Sequence, residues 1–442
     1  CAVSIYKGYE VEANYFGKHI AKVEVPAFVE ETVEYLLRYL HATVMADLSH
    51  INRLNEIVIE SFMNLDATAI RNLELVRNMR DGSKRGTLLD VLDFTNTSMG
   101  ARKLRSWIEC PLLDLGKIYE RQDAVAELLD NSTLREAVVE RLKAIYDLER
   151  IVSRLEVGSA NARDLVSLRT SLAVLPEVKA VLANCKSRKL QRIYNNLHVH
   201  EDIYAALEAA IVDEPPFSVR EGGMIRSGYN AELDELHMIA KDNKSWMQNF
   251  EMKIKEETGI KTMKVGFNKV FGYYIEVSKG QSENVPDYFV RKQTLVNAER
   301  YIVPELKDFE NKILGAKEKI EQLEYYLFSQ LREMIRSKIT EIQETARALA
   351  TVDVLVSFAV SAYKYNYIRP ELNNGGEIKI TDGRHPVVER LLEKEIFVPN
   401  NVNLNNSDES MIVITGPNMA GKSTYMRQVA LLVLMTQMGS FI

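Results

Sequence analysis

Apolar residues recur every three or four positions from Val29 to Leu40, and again from Ala67 to Val76 behind a capping Asp66, the spacing of helices with one buried face. The same period runs from Leu88 to Leu182. Turn signals at Met99-Gly100, Cys110-Pro111 and Gly158 break it, which predicts short helices joined by tight connections in an all-α core. Pro215-Pro216, Gly222-Gly223 and Gly228 interrupt the pattern, after which Leu233, Leu236, Trp246, Phe250 and Ile254 mark one face of a second long helix ending at Gly259.

The period then changes. Met263, Val265 and Phe267 alternate with Lys264 and Gly266, and Val270 to Val277 is rich in β-branched and aromatic residues, so two strands joined near Asn268-Lys269 are predicted. From Ala316 to Arg369 there is neither Gly nor Pro, while Leu323, Leu327, Leu331, Ile335, Ile339, Ile342 and Leu349 keep a helical repeat. At about 1.5 Å per residue, one continuous helix there would reach roughly 80 Å. Two helical arms thus flank a small β-rich insertion, a tip able to grip something distant from the core. Val352 to Val356 has the composition of an acidic strand, but it continues the helical pattern and reads as helix core holding one polar residue, Asp353.

Beyond Pro370 come Ile378-Lys379-Ile380, Asp382-Gly383-Arg384-His385-Pro386, and a strand-like run Met411-Ile412-Val413-Ile414-Thr415 leading into Gly416-Pro417-Asn418-Met419-Ala420-Gly421-Lys422-Ser423. This is the Gly-x-x-x-x-Gly-Lys-Ser pattern, in which glycines let backbone N–H groups turn inward around phosphate oxygens and the following helix offers its positive end. Lys422 is expected to bridge the β- and γ-phosphates of ATP. The Ser423 hydroxyl is expected to ligate Mg²⁺, a hard cation that prefers oxygen donors, and Thr424 to donate to a neighbouring phosphate.

Composition narrows the class. A chain of 442 residues exceeds one hydrophobic core, so about three domains are expected. With 46% apolar residues, 27% charged residues and 11 prolines, it is a folded, helix-leaning protein rather than a disordered one. Cys1, Cys110 and Cys185 form no Cys-x-x-Cys, which suggests neither a disulfide framework nor a zinc site and fits a reducing cytoplasm. No run of 18 apolar residues and no signal-peptide pattern is present, so membrane and secretion are not expected. The net charge of −6 excludes a uniformly basic surface. Locally, Lys261 to Lys292 carries six basic residues (Lys261, Lys264, Lys269, Lys279, Arg291, Lys292) against three acidic ones (Glu276, Glu283, Asp287), a net of +3. Such a patch attracts phosphate backbones, although on composition alone a solvated lysine face that keeps strand edges apart is the simpler account. Phe267, Phe271, Tyr273 and Tyr274 are dense enough to form the tip's own core.

The chain starts at Cys1 and stops 20 residues past Lys422, too short a stretch for the acidic strand and water-orienting residue of a P-loop NTPase. A fragment is expected, one that binds nucleotide at best and does not hydrolyse it, with catalytic residues unassigned.

The run Thr415 to Gln428 closely resembles the ATPase signature of the bacterial MutS mismatch-recognition family, with the Asn418-Met419 pair more specific than a generic P-loop. The resemblance extends through Gly383 to Glu389, Asn297 to Tyr301, Lys264 to Asn268, Gly272 to Ile275 and Met99 to Leu104. It implies a mainly α, multidomain fold: a helical core/lever domain with an inserted β-rich clamp, then the start of a P-loop α/β (ABC-type) ATPase domain. The segments expected are 1–28 as a connector remnant, 29–235 as core/lever, 236–296 as clamp, 297–369 as the returning helix and 370–442 as the first part of the ATPase domain. The resemblance further implies that Phe397 stacks on adenine, that Asn418 meets the nucleotide, and that Lys264, Asn268, Lys269, Arg291 and Lys292 contact duplex backbone. It also implies mismatched double-stranded DNA and a MutL-type repair protein as partners, a homodimer, and a bacterial cytoplasmic location near the nucleoid. The mismatch-reading domain with its Phe-x-Glu wedge is missing from the pattern. A chromosome-structuring, SMC-like ATPase, a recombination-type MutS homologue and a purely structural module remain as alternatives.

Overall fold

A computed structural model describes residues 27–44, 61–219, 221–241, 243–268, 272–392, 396–418 and 420–442. Almost all of the expected 1–28 segment, together with Lys269, Phe271 and Met419, lies outside the described residues. The chain forms two compact units. One comprises Cys1–Ser159, Val174–Val199 and Ile339–Ile442, the other Ala160–Ala173 and His200–Lys338. The described fold is mainly helical, with one four-stranded and one two-stranded antiparallel sheet.

In the first unit the helix Ile339–Tyr365 packs against Ser98–Glu109, Leu115–Asp130, Ser132–Leu142, Leu148–Val157 and Arg188–Asn195. By length and composition it could cross a bilayer, yet its most apolar window is 83% buried within the protein. It is a core helix, with Val352, Val354, Leu355, Val356 and Phe358 fully buried. Asp353 lies among them. Its carboxylate accepts from Asn96 N (2.9 Å), Thr97 N (2.8 Å) and Thr97 Oγ1 (2.7 Å), fastening the start of the Ser98–Glu109 helix. Gly100 sits inside that helix rather than in the turn its sequence suggests. A Cβ there would lie 2.1 Å from Asp353 Oδ2, so the glycine serves close approach, not chain reversal.

The second unit holds the helices Ala231–Lys241, Asn243–Thr258 and Pro304–Arg336 and the strands β1 (Lys264–Asn268), β2 (Gly272–Ser278), β3 (Val290–Thr294) and β4 (Ala298–Ile302). The sheet order is β1-β2-β4-β3, all antiparallel, with Lys264 opposite Glu276 and Asn268 opposite Gly272. Tyr273, Ile275, Val277 and Tyr301 face a core built with Phe250, Ile254, Leu306 and Ile313. Tyr274 does not join it, because strand alternation places it on the opposite face, where the Arg300 guanidinium lies 4.1 Å from its ring centre.

Two sequence expectations fail here for identifiable reasons. The 316–369 helix is two helices, Pro304–Arg336 and Ile339–Tyr365. Ser337 Oγ donates to Met334 O at 2.6 Å and takes the acceptor that Lys338 N would need, so Lys338 N bonds Ile335 O instead and the α-ladder stops. Residues 411–415 form no strand: no partner strand lies beside them among the described residues, and Met411 and Val413 are each 80% exposed. A strand needs a neighbour to satisfy its ladder.

Candidate nucleotide cavity and basic sheet

The helix Lys422–Met438 opens at Gly421, whose φ of 85° is left-handed and suits glycine, and no side chain caps its first turn. Unsatisfied N–H groups therefore point outward at the start of this helix, the arrangement that attracts anions. Lys422 Nζ folds back onto the loop, donating to Gly416 O and, at 2.9 Å, to Pro417 O. A cavity of about 370 Å³ adjoins this point, within the range of small-molecule sites. Its wall includes Phe397, Asn400, Gly421, Lys422, Thr424 and Gln428. Behind the wall is a two-stranded sheet of β5 (Ile378–Gly383) and β6 (Asn400–Leu404). Tyr425 Oη, on the helix, donates to Asn401 O at 2.9 Å and ties the helix to β6.

Of the expected nucleotide residues, Ala420, Gly421, Lys422, Thr424 and Phe397 line this cavity. Gly416, Pro417, Asn418 and Ser423 are exposed beside it and do not form its wall, and Met419 lies outside the described residues. Gln428 and Asn400 were not expected. No sequence signal marks this part of the wall: that Gln428 is fully buried appears only in the fold.

The carboxyl end of the same helix is anchored. Leu112 N donates to Gln437 O at 3.0 Å, and Arg121 Nη1 to Met438 O at 2.8 Å, with the Arg121 guanidinium 3.4 Å from the centre of the Trp107 ring. Burial pulls the Arg121 guanidinium down to about 9. Nearer the loop, Arg427 pairs with Glu74 at 3.2 Å. His385, in the Asp-Gly-Arg-His-Pro run, accepts through Nδ1 from Val387 N and Val388 N, and burial lowers its imidazole to about 4.

On the four-stranded sheet the five expected DNA residues do not share one face. Lys264 is exposed and Asn268 half-buried, and both lie on the face turned from the core, with Tyr274 and Glu276. Arg291 projects from the core-side face at the edge and pairs with Glu299 at 3.3 Å, while Lys292 is the extra residue of a bulge between Arg291 and Gln293. Lys269 lies outside the described residues. Arg300, which sequence reading passed over, is occupied by Glu276 (3.0 Å), Gln293 (3.0 Å) and the Tyr274 ring.

The sequence model for MutS domain III matches residues 68–359, most of the helical framework and the whole four-stranded sheet, and that for MutS domain V matches residues 412–442. The chain belongs to the MutS family. It is 47% identical over 437 residues to the DNA mismatch repair protein MutS of Acetivibrio thermocellus, covering 99% of this chain and 49% of that protein. It is 49% identical over 407 residues to the MutS of Alkaliphilus oremlandii (92% and 46%) and 47% identical over 433 residues to that of Ruminiclostridium cellulolyticum (98% and 50%). The chain spans about half the length of the curated relatives it matches. The MutS domain V match takes in the loop and the Lys422–Met438 helix, whereas Phe397 and Asn400 fall between the two matched regions.

Proposed function

We propose that this chain is part of a DNA mismatch-repair ATPase, in which the cavity at Gly421-Lys422 holds ATP–Mg²⁺ and the four-stranded sheet is a clamp on the duplex backbone. One observation carries the nucleotide reading: an uncapped helix start, a lysine and an aromatic ring, Phe397, share one cavity of about 370 Å³. Anionic phosphates satisfy the free N–H groups, the lysine adds positive charge, and the ring gives the base an apolar face. Ser423, exposed in the first turn, would supply a hydroxyl oxygen to Mg²⁺, which neutralises phosphate charge when bound. Gly416, Pro417, Asn418, Met419 and Ala420 form the surrounding loop. Hydrolysis, homodimer formation, mismatch selection and recruitment of a MutL-type partner belong to the whole protein, in the bacterial cytoplasm. The names of the relatives support the repair assignment.

The clamp reading rests on Lys264 and Lys292, exposed on a sheet whose arginines Arg291 and Arg300 are already engaged. Each phosphate contact releases counterions, so affinity for duplex DNA should fall steeply with salt. Titration of the chain with labelled duplex at several salt concentrations tests this. Lys264→Glu plus Lys292→Glu should weaken binding and flatten the salt slope; affinity independent of salt would remove the clamp assignment.

A further inference from the structure

Four cations of the helical core lack a carboxylate partner. Lys103 on Ser98–Glu109, Arg121 on Leu115–Asp130, Lys189 on Arg188–Asn195 and Arg347 on Ile339–Tyr365 belong to one unit, and the last of these helices packs against the other three. Among the described residues the side chains of Lys103, Lys189 and Arg347 make no hydrogen bond or ion pair, and Arg121 donates only to a neutral carbonyl, Met438 O. In the same unit Arg102, Arg192, Arg369 and Arg427 each pair with an aspartate or glutamate. Arg121 is buried over the Trp107 ring, and the backbone makes room for it: Gly439 has a left-handed φ of 84°, and a Cβ there would lie 2.5 Å from Arg121 Cβ.

These cations act on one another. Burial holds the half-buried Lys103 ammonium below the ordinary lysine range, and Arg121 and Arg347 press it down further against the pull of Glu149. Burial pulls the half-buried Lys189 down to about 8, helped by the charges of Arg121, Arg192 and Lys103 and opposed by Glu120. Both opposing carboxylates are already engaged, Glu149 by Arg102 at 2.6 Å and Glu120 by Arg192 at 3.2 Å. Like charges brought together and partly stripped of water cost folding free energy that the cluster itself does not recover.

We infer that Lys103, Arg121, Lys189 and Arg347 form a second anion site, which takes a compact multivalent phosphate of the pyrophosphate class. It is separate from the loop at Lys422: Arg121 meets the far end of the Lys422–Met438 helix, about 24 Å away at 1.5 Å per residue. Phosphate oxygens accept charge-assisted bonds from ammonium and guanidinium groups, and one ligand of several charges offsets several cations at once. A monovalent anion offsets one. Half-buried ammonium groups on adjoining helices also suit a small ligand better than a broad polymer surface. The site does not depend on the nucleotide reading of the other cavity.

The test uses the Lys422→Ala chain, which takes the loop's lysine out of play, in calorimetric titrations with pyrophosphate and with inorganic phosphate and in thermal melts with and without pyrophosphate. Pyrophosphate should bind one to one, about tenfold tighter than inorganic phosphate, and raise the melting temperature. Adding Lys103→Met and Lys189→Met, which keeps the apolar stems, should weaken pyrophosphate by about tenfold or more. Without ligand, this variant should melt no lower than its parent, because the repulsion is gone. Adding Lys117→Met and Lys143→Met instead makes the same charge change at exposed positions of the same unit and should leave binding as it was. If the Lys103→Met, Lys189→Met chain does not fold, Lys189→Gln decides, with the same direction of loss expected. Absence of pyrophosphate binding in the parent, undiminished binding in the cluster variant, or equal losses in the two pairs of variants would overturn the site. Failure of Lys189→Gln to fold as well would overturn it too, making these lysines part of the packing.

Discussion

Thr97 Oγ1 donates to Asp353 Oδ2 across 2.7 Å, joining residues 256 positions apart in sequence inside a core that excludes water from both. The same carboxylate receives two backbone N–H groups, from Asn96 and Thr97, and Gly100 leaves the space it occupies. Asp353→Ala should therefore strip several buried donors at once and lower stability by about 3 kcal/mol in urea denaturation. Gly100→Ala should cost about 2 kcal/mol by collision. Because that collision is with the carboxylate itself, the double variant should be less destabilised than the sum of the two, a coupling readable from the cycle.

His385 predicts an acid limb. Burial holds its imidazole near 4 in the folded chain against 6.5 ordinarily, so on acidification the unfolded chain takes up the proton first. Stability should fall as pH drops from about 6.5 towards 4. His385→Asn retains an acceptor for Val387 N and Val388 N without titrating there. Melting temperatures across this window should slope less for the variant than for wild type, and parallel slopes would show that His385 is not the source.

Lys292 and Arg300 should separate cleanly in behaviour. Lys292→Ala removes an exposed charge on a bulge and should reduce the salt slope of duplex binding by about one unit with little change in stability. Arg300→Ala removes partners from Glu276, Gln293 and Tyr274 and should destabilise the sheet while leaving the salt slope in place. Binding isotherms at several salt concentrations, paired with thermal melts, decide between them.

Glu324 is fully buried in the Pro304–Arg336 helix and accepts from Gly223 N at 2.9 Å and Met224 N at 2.8 Å. In Glu324→Ala these two amides lose their acceptor. Hydrogen exchange at Gly223 and Met224 should accelerate more than at Leu306 or Ile313 of the same unit, a local opening rather than a global one.

Much of this architecture was legible because helices with one buried face and a hairpin with alternating burial leave periodic traces, as Phe250 and Ile254 or Tyr273 and Ile275 do. The break after Arg336 left none, since a serine hydroxyl and not a glycine or proline ends that helix. Met411 to Thr415 has the composition of a strand, but strand formation depends on neighbours that its own residues do not specify. At the cavity, Gly421, Lys422 and Thr424 follow from spacing, and Phe397 from family resemblance. Gln428 escaped because its burial is visible only once Gly383 and Asn400 are placed beside it.

The Lys422–Met438 helix is held at its far end by Leu112 and Arg121 and begins in a loop of exposed residues. Mechanically it is a beam clamped at the root and tied to β6 near its tip by Tyr425. A load applied at the tip, where Lys422 lies, is shared between the Tyr425–Asn401 and Arg427–Glu74 ties beside it and the Arg121 anchor at the far end. Whatever the loop captures is thus felt as bending stress in the helical core rather than as translation of the whole helix.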